Sequence, residues 1–326
     1  MAAPLVECVP NVSEGRDPAR IARLVESVGT APGVTLLHAH AGAGAHRSVI
    51  TFVGDPASVR EAAFRLARAC VAEIDLRQHR GAHPRMGALD VCPFVPLRGE
   101  SMDTCVELAR TLGARVAAEL GVPVILYGAA ASAPARADLS RVRRGEFENL
   151  AAKLARPEWA PDSGPLAPHP SAGAFAIGAR GILVAFNVTL ESRDAGLATA
   201  IAKRVRASGG GLPGVKAIGW TIEEYGRVQV SMNLTDPDTT PPHVAFDRVA
   251  ALAAAEGVDV YGSEVIGLLP LDALLRAGRA RWSADGGGAP PEEAALVVLG
   301  MDYLRLDRPL HRFDPAERVL DWRLPA

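Results

Sequence analysis

Apolar positions along the chain recur with two spacings. Short β-branched runs near Val34 to His38, Val49 to Val53, Val91 to Val95 and Val122 to Tyr127 have the length of strands. Between them, Val59, Ala63, Leu66, Cys70 and Ile74 share one face of a helix predicted over Pro56 to Ile74. Met102, Val106, Ala109, Leu112, Val116 and Leu120 do the same over Ser101 to Leu120. Both faces need a sheet to cover. The short link from His38 to Val49 suits antiparallel neighbours and the long helices suit crossovers, so a mixed sheet with helices on one face is expected.

The pattern also echoes itself. Asn11-Val12-Ser13 and Asn187-Val188-Thr189 each end a strand-like run, and each precedes an Arg-Asp pair and a helical stripe: Ile21, Leu24, Val25 and Val28 after Asp17, then Leu197, Ile201 and Val205 after Asp194. Asn233-Leu234-Thr235 repeats the theme before a helix starting near Thr240 and Pro241. The reading is an α+β protein of two ferredoxin-like-related α/β subdomains, with mixed sheets covered by helices and a ligand cleft between them. The Pro- and Gly-rich stretch from Arg156 to Arg180 is the natural boundary, giving subdomains 1–179 and 180–326.

Composition narrows the function. The chain has 326 residues, with 35 Lys and Arg against 37 Asp and Glu, so no basic field points to nucleic acid. Apolar stretches are strand-sized and the first residues lack a signal-peptide pattern, which implies a cytoplasmic protein with no membrane partner. Cys8, Cys70, Cys92 and Cys105 have no CxxC spacing and read as small buried hydrophobes; a thiolate nucleophile at Cys92 is the alternative.

The densest chemistry lies in HRGAHPRMGALDVCPFVP, residues 79–96. His83 can move a proton near neutral pH, and Arg85 can grip a carboxylate in a two-pronged fork. Gly81, Pro84 and Gly87 interrupt helix and strand, so the segment reads as a loop facing a cleft. Five of the eight histidines (His38, His40, His46, His79 and His83) fall between positions 38 and 83. His38, His40, His79 and His83 have a spacing that would also suit a zinc-dependent hydrolase.

Taken with LVECVPNVSEGRD, HRSVITFVGDP, EWAPDSGP, ILVAFNVTLESRDA, VKAIGWTIEEYGRVQVSMNLTD, GSEVIGLLPLDALL and RFDPAERVL, in order along the whole length, that loop resembles the formiminotransferase family, in its stand-alone glutamate formimidoyltransferase form. The resemblance implies formimidoyl transfer from N-formimidoyl-L-glutamate to N5 of tetrahydrofolate, a cosubstrate, with no metal. It makes His83 the catalytic acid and base, with Arg47, Arg85, His40 and His46 at the glutamate end. Gly164, Pro165, His169, Pro170, Ser171, Ala172 and Gly173 become folate-binding, as do Gly214, Val215, Lys216, Ala217, Ile218 and Gly219. Asp90 would orient His83 or cap the following strand turn. A homodimer is expected, and the end of the chain at FDPAERVLDWRLPA implies that a separate cyclodeaminase takes the product.

The chain departs from the family where His38 replaces a common Asp and His46 a common Asn, and Ala172 stands where relatives can be aromatic. A noncatalytic folate-binding or assembly protein of the same fold is therefore the second reading, and the metal hydrolase the third.

Overall fold

Pro10 has no N–H for a ladder and splits the first strand into β1 (Val6–Cys8) and β2 (Asn11–Val12). The two pieces lie in line between β4 (Arg47–Gly54) and β5 (Leu89–Pro96), antiparallel to both. On the far side of β4 runs β3 (Val34–Gly42), antiparallel as the short link predicts. Beyond β5 the sheet turns parallel, through β7 (Phe175–Ala179) to β6 (Val124–Gly128). The computed structural model describes residues 3–223, 226–308 and 312–325. They divide into one unit running to Gly181 and including Pro325, and a second, Ile182–Leu324.

The Arg156 to Arg180 stretch, read as the boundary, ends in β7, a fully buried strand threaded between β5 and β6. In its sequence, FAIGA, the three small residues Ala176, Gly178 and Ala179 weaken the strand signal of Phe175 and Ile177. They are needed there: a Cβ on Gly178 would stand 2.4 Å from the Tyr127 carbonyl oxygen.

Helices α1 (Pro18–Gly29), α2 (Pro56–Glu73) and α3 (Met102–Leu120) cover one face of this sheet. Each starts at a side-chain cap: Asp17 accepts from the N–H groups of Ala19 and Arg20, Asp55 from those of Ala57 and Ser58, and Ser101 from that of Thr104. Leu24, Phe64, Cys70 and Leu112 pack there against Val6, Phe52, Phe94 and Ile177. The buried stripe of α3 runs through Cys105, Leu108 and Leu112, leaving Met102, Val106 and Leu120 at its rim. All four cysteines are buried and free, with the sulfurs of Cys8 and Cys92 3.6 Å apart in the core. Burial pushes the thiols of Cys8 and Cys70 up, as befits apolar fillers.

The opposite face is not bare. Two short helices, α4 (Leu139–Arg143) and α5 (Leu150–Leu154), lay Val142, Leu150 and Leu154 over Val91, Ile125, Tyr127 and Ala176. Helices thus cover both faces at the parallel end of the sheet, where one covered face is expected.

In the second unit, β8 (Val184–Leu190), β9 (Val215–Ile222), β10 (Arg227–Leu234) and β11 (Val260–Ile266) form an antiparallel sheet in the order β11-β8-β10-β9. Helices α6 (Ala195–Val205) and α7 (Pro242–Ala254) share a core with Phe186, Val188 and Val230. Asp194 caps α6 through Gly196 and Leu197, as Asp17 caps α1. The third echo is looser, since α7 starts behind Pro241 with no side-chain cap. The sheet's other side carries a buried polar ladder. Glu264 accepts from the amides of Asn187 and Gln229 at 3.1 Å each, Gln229 also donates to Thr189, and the Trp220 indole donates to Gln229.

Candidate active site around His83

Strand β5 meets β2 with one residue too many. Val12 lies opposite Leu89 and Asn11 opposite Val91, so Asp90 is the extra residue of a bulge, a device that re-aims a side chain. Asp90 is fully buried. One carboxylate oxygen accepts the Met86 N–H at 2.8 Å; the other accepts from Arg47 at 2.6 Å and lies 2.8 Å from an Arg143 nitrogen. Arg47 also donates through Nε to Asn11 at 3.0 Å. Burial alone would raise the Asp90 pKa, but Arg143, Arg47 and the Met86 N–H outweigh it and hold the carboxyl well below its usual range. Burial brings Arg47 down to about 10, partly opposed by Asp90.

His83 stands beside this cluster. Its Nδ1 lies 2.8 Å from the Pro84 carbonyl oxygen, which can only accept, so Nδ1 carries the proton and Nε2 keeps a lone pair. Burial, reinforced by the charges of Arg47 and Arg143, pushes its pKa well below that of a free imidazole. The ring is therefore neutral at pH 7, with one basic nitrogen.

Arg85 is placed differently from the expectation. Its guanidinium meets Glu148 at 2.8 and 2.6 Å and Glu146 at 3.2 Å, while Nε donates to Nδ1 of His79. Its backbone N–H donates to Glu146 and its carbonyl accepts from Phe147. The fork is filled from within the chain, and it straps the histidine loop to the segment after α4. Glu146 reaches back through a left-handed turn, with φ of 94° at Gly145 and 55° at Glu146.

The other histidines form a second layer. His46 stacks on His79 with ring centroids 4.1 Å apart, and its nitrogens face the Arg80 carbonyl oxygen at 2.8 Å and Glu14 at 3.2 Å. Burial would raise Glu14, yet the N–H groups of Arg16 and Asp17, then Arg20 and His46, bring it down to about 2. His79 lies 2.8 Å from the His46 carbonyl oxygen through Nε2 and accepts from Arg85 through Nδ1, and burial lowers it to about 4. With both nitrogens engaged, His79 has no lone pair for a metal. His38 and His40 sit on the edge strand β3, their rings 6.4 Å apart. Among the described residues no three His, Cys, Asp or Glu side chains are placed to hold an ion, so the four-histidine ligand set of the hydrolase reading is not assembled.

The glycine-rich segment before β7 is bolted to the histidine loop. Ala88 donates to the Ala172 carbonyl at 2.9 Å, Ala174 to that of Met86 at 3.1 Å, and Leu76 to that of Ser171 at 2.8 Å. His169 and Gly173 exchange two backbone bonds of 2.9 Å, and Nδ1 of His169 accepts from Ala172 at 3.1 Å. Gly164 takes a φ of 95°, and Gly173 one of 72°. The Ala172 side chain is buried in the core, so only its backbone is available to a ligand. Pro165, Pro170 and Ser171 complete a short, tightly turned surface.

In the second unit, Gly214 makes a left-handed turn into β9, an edge strand. Val215 and Ala217 point into the core, whereas Lys216 and Ile218 alternate outward. Gly219 lies under α6: a Cβ would stand 2.2 Å from the Thr199 nitrogen. Packing accounts for that glycine.

The sequence reading missed Arg143, Asn11, Glu146 and Glu148. Arg143 sits among Arg141 and Arg144 in RVRRGE, a run that reads as a solvated face.

Fold and site together define an α+β protein built around a half-buried, neutral imidazole backed by two guanidinium groups. Residues 5–180 match the family model described as the formiminotransferase domain, N-terminal subdomain, and residues 185–325 match the one described as the formiminotransferase domain. The chain belongs to the formiminotransferase family. It is 46% identical over 273 residues to a glutamate formimidoyltransferase of Streptococcus pyogenes, covering 84% of this chain and 91% of that protein. A glutamate formimidoyltransferase of Thermoplasma acidophilum is 44% identical, covering 83% and 90%. The formimidoyltransferase-cyclodeaminase of Rattus norvegicus is 44% identical over 98% of this chain, which spans 60% of that longer protein.

Proposed function

We propose that this chain transfers a formimidoyl group from N-formimidoyl-L-glutamate to N5 of tetrahydrofolate and releases L-glutamate. The observation that carries the reading is the neutral His83, its Nδ1 proton committed to Pro84 and its Nε2 basic, on a loop fastened to the 169–173 turn. Relatives named for this transfer, at 44% and 46% identity, support it further.

N5 attacks the amidine-type carbon of the donor and a tetrahedral centre forms. Nε2 of His83 takes the proton that N5 sheds, then delivers it to the glutamate nitrogen as the old C–N bond breaks. Protons balance within the cycle, and the imidazole returns neutral. Such a group is worth about a hundredfold to ten-thousandfold in rate. Asp90 orients Arg47 at the glutamate end, where His40 and His46 are also assigned. Arg85 holds the loop instead of the donor.

The 164–173 segment meets tetrahydrofolate largely through backbone groups, and residues 214–219 are assigned to folate on the family resemblance. A homodimer in the cytoplasm, its product passed to a separate cyclodeaminase, belongs to the same reading; sedimentation tests the first part.

The test is a coupled assay with formimidoylglutamate and tetrahydrofolate, an added cyclodeaminase converting the product to its 5,10-methenyl form. Turnover by the wild type, lost in His83→Ala with folate binding retained, is the expected result. Folate binding without turnover in the wild type would move the protein to the noncatalytic reading.

A further inference from the structure

We infer that Arg143, together with Arg47, binds a carboxylate of the donor substrate. The inference rests on the transferase reading and names a residue for its specificity. Two guanidinium groups converge on a single oxygen of Asp90, whose other oxygen is occupied by the Met86 N–H. Among the described residues neither arginine has a second carboxylate partner. One negative charge thus faces two positive ones at a place where Asp90 is sealed and the Arg47 and Arg143 side chains are 8% and 13% exposed. His83 adds no counter-charge, being neutral, and Arg85 is answered by its own two glutamates.

A buried surplus charge is unfavourable unless an ion of opposite sign arrives to meet it. Arg47 has committed Nε to Asn11, whereas Nε of Arg143 is buried with no acceptor. The second arginine is the one with donor capacity to spare. It is also held in place: Lys153 donates to the carbonyl oxygens of Arg141, Val142 and Arg144 and so pins the end of α4. Its neighbours in the sequence have no such setting. A planar fork beside His83 suits a carboxylate, which the glutamate half of the donor carries twice.

Arg143→Gln leaves the Arg47–Asp90 pair balanced and should fold; thermal melting checks this, and Arg143→Lys serves as the second variant. Steady-state rates are measured with formimidoylglutamate and with its two monoamides, and L-glutamate alone is titrated into the resting protein by calorimetry. Arg143→Gln is expected to raise KM for formimidoylglutamate about ten- to a hundredfold. It should shrink the preference over one monoamide by a similar factor, weaken L-glutamate binding, and leave KM for tetrahydrofolate within about twofold. Arg143→Lys should fall between. Unchanged preference over both monoamides, or equal L-glutamate affinity in wild type and variants, overturns the inference. Absence of wild-type turnover would count against the transferase reading, while the glutamate titration still judges Arg143 by itself.

Discussion

Arg85 and Glu148 form a two-pronged ion pair, Nη1 to Oε2 at 2.8 Å and Nη2 to Oε1 at 2.6 Å, that joins the histidine loop to the chain beyond α4. Glu148 is more than half exposed, so the pair itself contributes little to stability, on the order of 1 kcal/mol or less. Its effect is on position. Glu148→Ala is expected to lower kcat severalfold and to leave KM for the donor nearly unchanged. If Arg85 were instead a donor clamp, freeing its fork would lower that KM, and steady-state kinetics on this variant decide between the two.

What could be read in advance follows from where the information lies. Strands β3 to β6 and helices α1 to α3 announce themselves through apolar period and Asp or Ser caps, all local signals. Strand β7 does not, because its place between two parallel strands demands small residues such as Ala176 and Gly178. His83 and Arg47 were legible as chemistry. The pairing of Arg85 with Glu146 and Glu148 is hidden in the sequence because these partners lie 61 and 63 residues away, and a guanidinium looks alike whether it meets a substrate or a glutamate. Arg143 was illegible among three arginines, since only the turn of α4 decides which one faces inward.

Asp90 is the counter-ion on which the cluster depends. Asp90→Asn leaves two buried guanidinium groups facing each other, and removing one member of a buried ionic network costs about 3 to 5 kcal/mol. Urea denaturation should show a loss of that size. Adding Arg143→Gln to Asp90→Asn removes half of the surplus charge and is expected to recover at least about 1 kcal/mol, a coupling that independent sites would not show. A double variant no more stable than Asp90→Asn alone would mean that the two residues do not act as a pair.

Two buried groups oppose each other in the pH dependence of stability. Burial raises Glu7 from 4.5 to about 7, with Arg180 opposing, so the folded state holds a proton that the unfolded state releases. Its contribution is fully present below pH 4.5 and lost as pH rises to 7, about 3 kcal/mol at 1.36 kcal/mol per unit. His79 runs the other way. Its value falls from 6.5 to about 4, so its contribution is present above pH 6.5 and lost, by a similar amount, as pH falls to 4. Over the shared range the two largely cancel. Glu7→Gln is expected to be more stable than wild type by up to about 3 kcal/mol at pH 8, and near parity at pH 4. Urea midpoints across that range check both ends, and a constant difference at every pH would remove Glu7 as the source.

Gly173 joins the backbone argument to the ligand argument. Its φ of 72° lies in the left-handed region, and an added Cβ would stand 2.1 Å from the Met86 carbonyl oxygen. Gly121, at the end of α3, has a φ of 65° with nothing within 4 Å, so it supplies a control with the same conformation and no contact. Gly121→Ala is expected to cost about 1 kcal/mol, the left-handed penalty alone. Gly173→Ala must also part the 169–173 turn from Met86, because a backbone oxygen cannot swing aside as a side chain end can. It is expected to cost at least about 2 kcal/mol more and to weaken tetrahydrofolate binding at least about tenfold, whereas Gly121→Ala leaves that binding unchanged. Chemical denaturation and folate titration on the two variants separate backbone conformation from close packing. Equal losses in both would show that the turn does not lean on the histidine loop.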